Sequence, residues 1–129
     1  MKDSKAIFIL YVEDQKRSTE FYRQVLGKEP VLDVPGMTEF ELTGDTLLGL
    51  MPVEGIAKLL GDSVPHPGEG RGIPRCELYL YLENPQEVYE KCLVLGATGI
   101  AGVALRNWGD YAGYLADPDG HILALASKS

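Results

Sequence analysis

Glu77, Tyr79 and Tyr81 stand at alternate positions and form the first group in this chain whose types and spacing suggest chemistry. A β-strand sends every second side chain to the same face, so a carboxylate and two phenols would line up together. That set suits an aromatic ligand that is cationic or forms hydrogen bonds. A buried carboxyl with a raised pKa can also act as a general base, which makes Glu77 the one candidate for a catalytic role. Ile7, Ile9 and Tyr11 alternate in the same way near the start of the chain. Trp108 and Arg106 lie in a loop with Gly109, and loops on rigid scaffolds often carry binding groups. Arg106 can pair with a carboxylate or phosphate, and Trp108 can offer a ring face. The plainer reading has Glu77 at a wet rim, the tyrosines and Trp108 packing only, and Arg106 on the surface.

The other reactive types lack partners. His66 lies between two prolines and His121 directly follows a turn glycine, with no Ser or Cys nucleophile placed to use it. Asp117 and Asp119 lack the further oxygen donors and the spaced Glu of a calcium loop, so they read as turn formers. The spacing of Cys76 and Cys92 is not that of a zinc site. They are expected as two free buried thiols facing one core layer in a reducing compartment.

The elements that must position these groups repeat. Residues 6–12 form an apolar run typical of a buried strand, followed by a helix pattern in which Asp14 caps the start and Gly27 the end. Phe21, Tyr22, Val25 and Leu26 mark its inner stripe. Strands follow at 31–34, 38–43 and 46–51, the last two joined at Gly44-Asp45. After a proline- and glycine-rich linker at 52–74, with a short helix near 55–60, the design starts again at residue 75. Asn84-Pro85-Gln86-Glu87 is a helix start, Val88, Cys92 and Leu95 its inner stripe. Strands follow at 100–105, 111–116 and 122–126, the final pair turned by Asp117-Pro118-Asp119-Gly120. An offset of 70 residues superposes Val12-Glu13-Asp14 on Leu82-Glu83-Asn84 and Glu20 on Glu90.

The chain is therefore α+β, with two βαβββ modules at about 5–51 and 75–127 in a single domain spanning 1–129. Side by side, the modules would form a curved, mostly antiparallel sheet around a cleft, with the helices outside. Phe8, Leu10, Val12, Leu78, Leu80 and Leu82 are expected to face the helices, and the mixed faces to line the cleft. At 129 residues and 45% hydrophobic, the chain can bury roughly two-thirds of its extended surface. A net charge of −7 argues against a nucleic-acid partner and reads as ordinary solubility. No apolar run approaches a membrane span, and Met1-Lys2-Asp3-Ser4 carries no signal-peptide core, so a cytoplasmic address is expected.

Two segments then carry a family resemblance. Ser18-Thr19-Glu20-Phe21-Tyr22-Arg23-Gln24-Val25-Leu26-Gly27 and Tyr114-Leu115-Ala116-Asp117-Pro118-Asp119-Gly120-His121-Ile122-Leu123-Ala124-Leu125, in this order within a βαβββ repeat, resemble the vicinal oxygen chelate superfamily. That superfamily includes glyoxalases, bleomycin-resistance proteins and extradiol dioxygenases. The resemblance implies a homodimer and, in the family's metal enzymes, up to four metal ligands on the first and last strands of each module. Counted from Val12-Glu13-Asp14, these positions fall on Ile7, Gly49, Glu77 and Ala124. Ile, Gly and Ala offer no lone pair to a divalent ion, so no metal and no cofactor is expected.

Three functions remain open. The first is a metal-free protein that binds a small aromatic or cationic compound, as bleomycin-resistance proteins sequester antibiotics, using Glu77, Tyr79, Tyr81, Tyr11, Ile7, Ile9, Trp108 and Arg106. The second is an enzyme, either a glyoxalase-type lyase or isomerase, or an acid–base catalyst using Glu77. The third is a non-catalytic subunit with a vestigial cleft.

Overall fold

The computed structural model describes residues 5–70 and 72–129. Met1-Lys2-Asp3-Ser4 and position 71 of the linker lie outside the described residues. The chain divides into two compact units between residues 71 and 72.

The first unit holds β1 (Ala6–Val12), α1 (Gln15–Leu26), β2 (Leu32–Val34), β3 (Met37–Thr43), β4 (Thr46–Pro52) and α2 (Val53–Leu60). Its four-stranded sheet runs β1-β4-β3-β2. The last three strands are antiparallel, as expected, while β1 joins β4 in parallel, with Ile9 beside Gly49. Asp14 caps α1 by accepting the backbone N–H of Arg17 at 3.0 Å, and Gly27 stops it in the left-handed region at φ 64°. Arg23 bonds Glu20 and Glu29 on the outer face of the helix. Its inner face buries Ser18, Thr19, Phe21, Tyr22 and Val25, and α1 packs on β3 and β4. Val12, Phe40, Leu48 and Leu50 are buried with them.

That placement corrects one expectation. Phe8 should have been covered by a helix, yet it is 65% exposed, with Ile7 and Ile9 also exposed. β1 is the edge strand and α1 crosses the two strands beyond it, so only the end of β1 near Val12 is covered. The linker is also more ordered than a plain loop. α2 occupies 53–60, and short 3₁₀ turns occupy Gly61–Ser63 and Pro67–Gly70. His66 sits between these turns, accepting the Gly68 N–H on Nδ1 at 3.0 Å, with Nε2 3.4 Å from Glu54.

The second unit holds β5 (Glu77–Tyr81), α3 (Pro85–Val94), β6 (Thr98–Leu105), β7 (Asp110–Ala116) and β8 (Ile122–Lys128). Its sheet runs β5-β8-β7-β6, again with the first strand parallel to the last. The expected cap holds, since Asn84 accepts the Glu87 N–H at 3.2 Å and Pro85 opens the helix. The buried stripe of α3 differs from the expected one. It is Pro85, Tyr89 and Cys92, with Val88 and Leu95 only half-buried. Cys76 precedes β5 and is exposed, so the two thiols do not share a core layer; both are free. Asp117 forms the expected turn, its Oδ1 accepting the N–H groups of Asp119 at 2.9 Å and His121 at 2.8 Å.

The eight strands thus form two mixed four-stranded sheets with helices, an α+β architecture. Among the described residues, no helix is long and apolar enough to cross a membrane.

Candidate functional site

Strand alternation in the second unit divides two faces. Leu78, Leu115, Leu123 and Leu125 belong to the face that carries α3, and the last three are buried. Glu77, Tyr79 and Tyr81 belong to the other. Register then dictates their neighbours. Tyr79 stands beside Ala124, which stands beside Tyr114; Tyr81 stands beside Ala126, then Ala112; Lys128 stands beside Asp110. Small residues along β8 and β7 give the large rings room to lie across the sheet, and Ala112, Ala124 and Ala126 are buried.

The rings converge on one carboxylate. Tyr79 and Tyr81 each donate their hydroxyl to Asp110 Oδ2 at 2.8 Å, and the rings meet edge-on at 5.4 Å. Asp110 is 4% exposed. Trp108 Nε1 donates to the Tyr79 hydroxyl at 3.0 Å, and Lys128 Nζ donates to the Tyr81 hydroxyl at 3.1 Å. Each phenol therefore accepts one bond and passes its proton toward the same oxygen. Lys128 Nζ also lies 3.7 Å from Asp110 Oδ1 and 4.6 Å from the centre of the Tyr81 ring. A buried carboxylate normally survives only with such partners.

The electrostatics follow the same wiring. The bonds from Tyr79 and then Tyr81 hold the Asp110 carboxyl below its ordinary range, with Lys128 adding to them. Burial raises the Tyr79 phenol, reinforced by the Asp110 charge and opposed by the Trp108 bond. Burial also raises Tyr114, with Glu77 adding to it and Arg106 opposing it. The Tyr81 hydroxyl and then the Asp110 charge raise Lys128. Both hydroxyls donate to a carboxylate held in its ionised form. The cluster holds a negative charge at the hydroxyl ends of two aromatic rings, and Tyr81 and Trp108 remain 55% exposed.

The turn before β7 explains how Asp110 and Trp108 are aimed. Gly109 adopts φ 99°, which residues with a Cβ rarely reach, and its N–H bonds the Arg106 carbonyl at 3.0 Å. The Arg106 guanidinium closes the same turn. It donates to the carbonyls of Ala112 at 2.9 Å and Gly102 at 2.7 Å, and lies 5.6 Å over Tyr114. The register shift between Ala101 and Ala104 accompanies this arrangement. Arg106 thus braces the turn.

Of the residues expected to bind a ligand, Tyr79, Tyr81 and Trp108 are brought together. Glu77 shares their face from an exposed position. Ile7, Ile9 and Tyr11 stand on β1 of the first unit. Sequence reasoning missed Asp110, Lys128 and Tyr114. It started β7 at Tyr111 and stopped β8 at Ala126; extending the alternation one step back from Ala112 and one on from Ala126 reaches Asp110 and Lys128. The first unit also has a cavity of about 950 Å³ beside the start of α1, lined among others by Glu13, Lys16, Thr19 and Asp33, and by none of the expected residues.

The metal positions implied by the fold do not suit a metal. A Cβ on Gly49 would meet the Ile9 and Ile7 side chains at 3.0 and 3.2 Å, so hydrocarbon fills that point. Ala124 is buried between the register positions of Tyr79 and Tyr114. Among the described residues, no three His, Cys, Asp or Glu side chains gather as a metal site.

Comparison with known proteins agrees with the fold. The chain is 25% identical over 123 residues to an uncharacterized protein of Mycobacterium bovis, covering 90% of this chain and 78% of that one. A glyoxalase-related enzyme from Fulvimarina pelagi superposes with a TM-score of 0.81 at 23% identity, covering 98% of this chain and 89% of the other. A protein from Agrobacterium tumefaciens superposes at 0.73 with 28% identity, over 100% and 99% of the two chains. The family model for the Glyoxalase/Bleomycin resistance protein/Dioxygenase superfamily matches residues 6–125, and the chain belongs to that superfamily.

Proposed function

We propose that this protein binds a small organic molecule, aromatic or cationic, without a metal, on the face that carries Glu77, Tyr79, Tyr81 and Trp108. The observation that carries the reading is the ionised, buried Asp110 held by two tyrosines whose neighbouring aromatic surfaces stay open to solvent. Negative charge beside exposed rings attracts cations and flat molecules. The lack of a lone-pair donor at Ile7, Gly49 and Ala124, with the Ile7 and Ile9 side chains packed against Gly49, supports the metal-free part. On this reading the protein acts like family members that sequester an antibiotic rather than like those that use a metal to transform a substrate. A cytoplasmic address goes with the reading, supported by two cysteines that remain free. So does a homodimer.

Thermal shift tests it. Protein stripped with EDTA is screened against cationic glycopeptide and aromatic antibiotics, glutathione conjugates, and Zn²⁺, Ni²⁺, Mn²⁺ and Fe²⁺. A ligand at 100 times its dissociation constant adds about 2.7 kcal/mol, a plain upward shift. Stabilisation by an organic compound in the absence of metal is expected. Saturable stabilisation by a metal alone overturns the proposal and restores the enzyme reading.

A further inference from the structure

The residue that completes the cluster on β8 is the one least fixed within it. Asp110 is buried and both tyrosine hydroxyls are engaged, but the Lys128 side chain is 76% exposed. Its ammonium nevertheless stops where three attractions meet: the Tyr81 ring at 4.6 Å, the Tyr81 hydroxyl at 3.1 Å and Asp110 Oδ1 at 3.7 Å. A ring face, a hydroxyl acceptor and a carboxylate are the elements of an ammonium site. Lysine reaches it on a flexible stem that loses rotamer freedom to stay there, and a solvent-exposed ion pair is weak. A 3.7 Å separation from Oδ1 is longer than a hydrogen bond, so the tether does not bring Nζ fully home.

We propose that the Tyr81–Asp110 corner is a recognition site for a primary organic ammonium, and that Lys128 is its tethered, displaceable occupant. An incoming primary amine takes the place of Nζ, donating to the Tyr81 hydroxyl and facing Asp110 Oδ1, and its apolar body lies against the exposed Trp108 ring. Lys128 swings into solvent. The inference rests on the binding face proposed above and narrows its ligand class. A quaternary ammonium keeps the ring attraction but has no N–H for the hydroxyl, so it should bind less well.

The probe is 2-phenylethylamine, compared with its trimethylammonium analogue, neutral 2-phenylethanol and anionic phenylacetate. Titration calorimetry is run on the wild-type protein, on Lys128→Met, which keeps the stem without the charge, and on Lys128→Met combined with Tyr81→Phe, which keeps the ring without the hydroxyl. Near-UV circular dichroism checks that each variant is folded. An intramolecular competitor acts as a fixed effective concentration of rival ligand, so its removal should tighten binding of the amine about tenfold. The gain should be absent for 2-phenylethanol, and the added Tyr81→Phe change should reduce it for the amine but not for the trimethylammonium analogue. Equal amine affinity in wild type and Lys128→Met overturns the displacement proposal while leaving the binding face standing. Tighter amine binding, or tighter phenylacetate binding, in wild type than in Lys128→Met would show that Lys128 belongs to the binding machinery, and also overturns it. Failure of every probe on every variant, with antibiotics or conjugates still stabilising the protein, rejects the ammonium site alone; failure of all of them rejects the face as well.

Discussion

Asp110 is the residue on which the most physical consequences turn. Its pKa lies lower in the folded chain than its ordinary value of 3.8, because Tyr79 and Tyr81 donate to the charged form. A depressed carboxylate pKa contributes stability above the unfolded value and loses it as pH falls through the folded value. Asp110→Asn is therefore expected to melt a few degrees below wild type at pH 7, and the gap should close as pH falls below about 4. Melting curves from pH 7 to pH 3 decide it; a gap that stays constant would mean the loss is one of packing. Sequence alone did not disclose this residue, because the strand was expected to begin at Tyr111, one position after it. It becomes central only when strand register sets it next to Lys128 and within reach of β5. Cys92 and Cys76 make a second contrast at this scale. Burial pushes the Cys92 thiol up to about 11, while Cys76 is exposed. A thiol reagent at pH 8 should consume one equivalent from the native protein, at Cys76, and the second only in denaturant. Two fast equivalents would contradict the burial.

The helices and turns were legible at the level of elements because their signals are local. Asp14 and Gly27 bound α1, Asn84 and Pro85 open α3, and Gly44 and Gly120 supply positive φ in two hairpin turns. The inner face of α3 was not legible, because the sheet beneath decides it. Tyr89 is buried where β6 and β7 carry glycine. A Cβ on Gly99 would sit 2.9 Å from the Tyr89 hydroxyl, and one on Gly113 would sit 3.0 Å from Tyr89 Cδ2 and 2.7 Å from Val103 Cγ2. The hydroxyl then bonds the Tyr114 carbonyl at 3.2 Å, tying α3 to the strand that carries the binding-face residues. Periodicity favoured Val88 and Leu95 as apolar residues, but the hole in the sheet has the shape of a tyrosine. Gly113→Ala should overpack this joint and cost about 1–3 kcal/mol, since the added methyl also meets the Val103 backbone N at 3.1 Å. Urea denaturation measures it, and a change under about 0.5 kcal/mol would show that Tyr89 and Val103 move aside freely.

At the scale of the whole molecule, the repeat was readable and the role of its first strands was not. An apolar run at 6–12 looks like the centre of a sheet, yet β1 and β5 each close one edge of their own sheet. The rule that failed is that continuous apolar character implies two covered faces. On β1 it coexists with exposed Ile7, Phe8 and Ile9, and with ladder pairing to β4 on one side among the described residues. No charged residue lies in Ala6–Val12 to discourage a second strand. The proposed homodimer gives this edge an occupant. The β1 strand of a second copy offers the same exposed, uncharged apolar side chains, and a two-fold axis would bring two such strands together. A chain of net charge −7 would otherwise repel its copy, so an uncharged edge is where contact costs least. Light scattering coupled to size exclusion should give twice the mass of the chain for wild type. Phe8→Lys should shift it to the single-chain mass with little loss of Tm in the dissociated form, because Phe8 is 65% exposed and contributes little to its own core. A wild-type mass equal to one chain across micromolar concentrations would remove the dimer from the proposed function, and a dimer that persists in Phe8→Lys would move the contact away from β1.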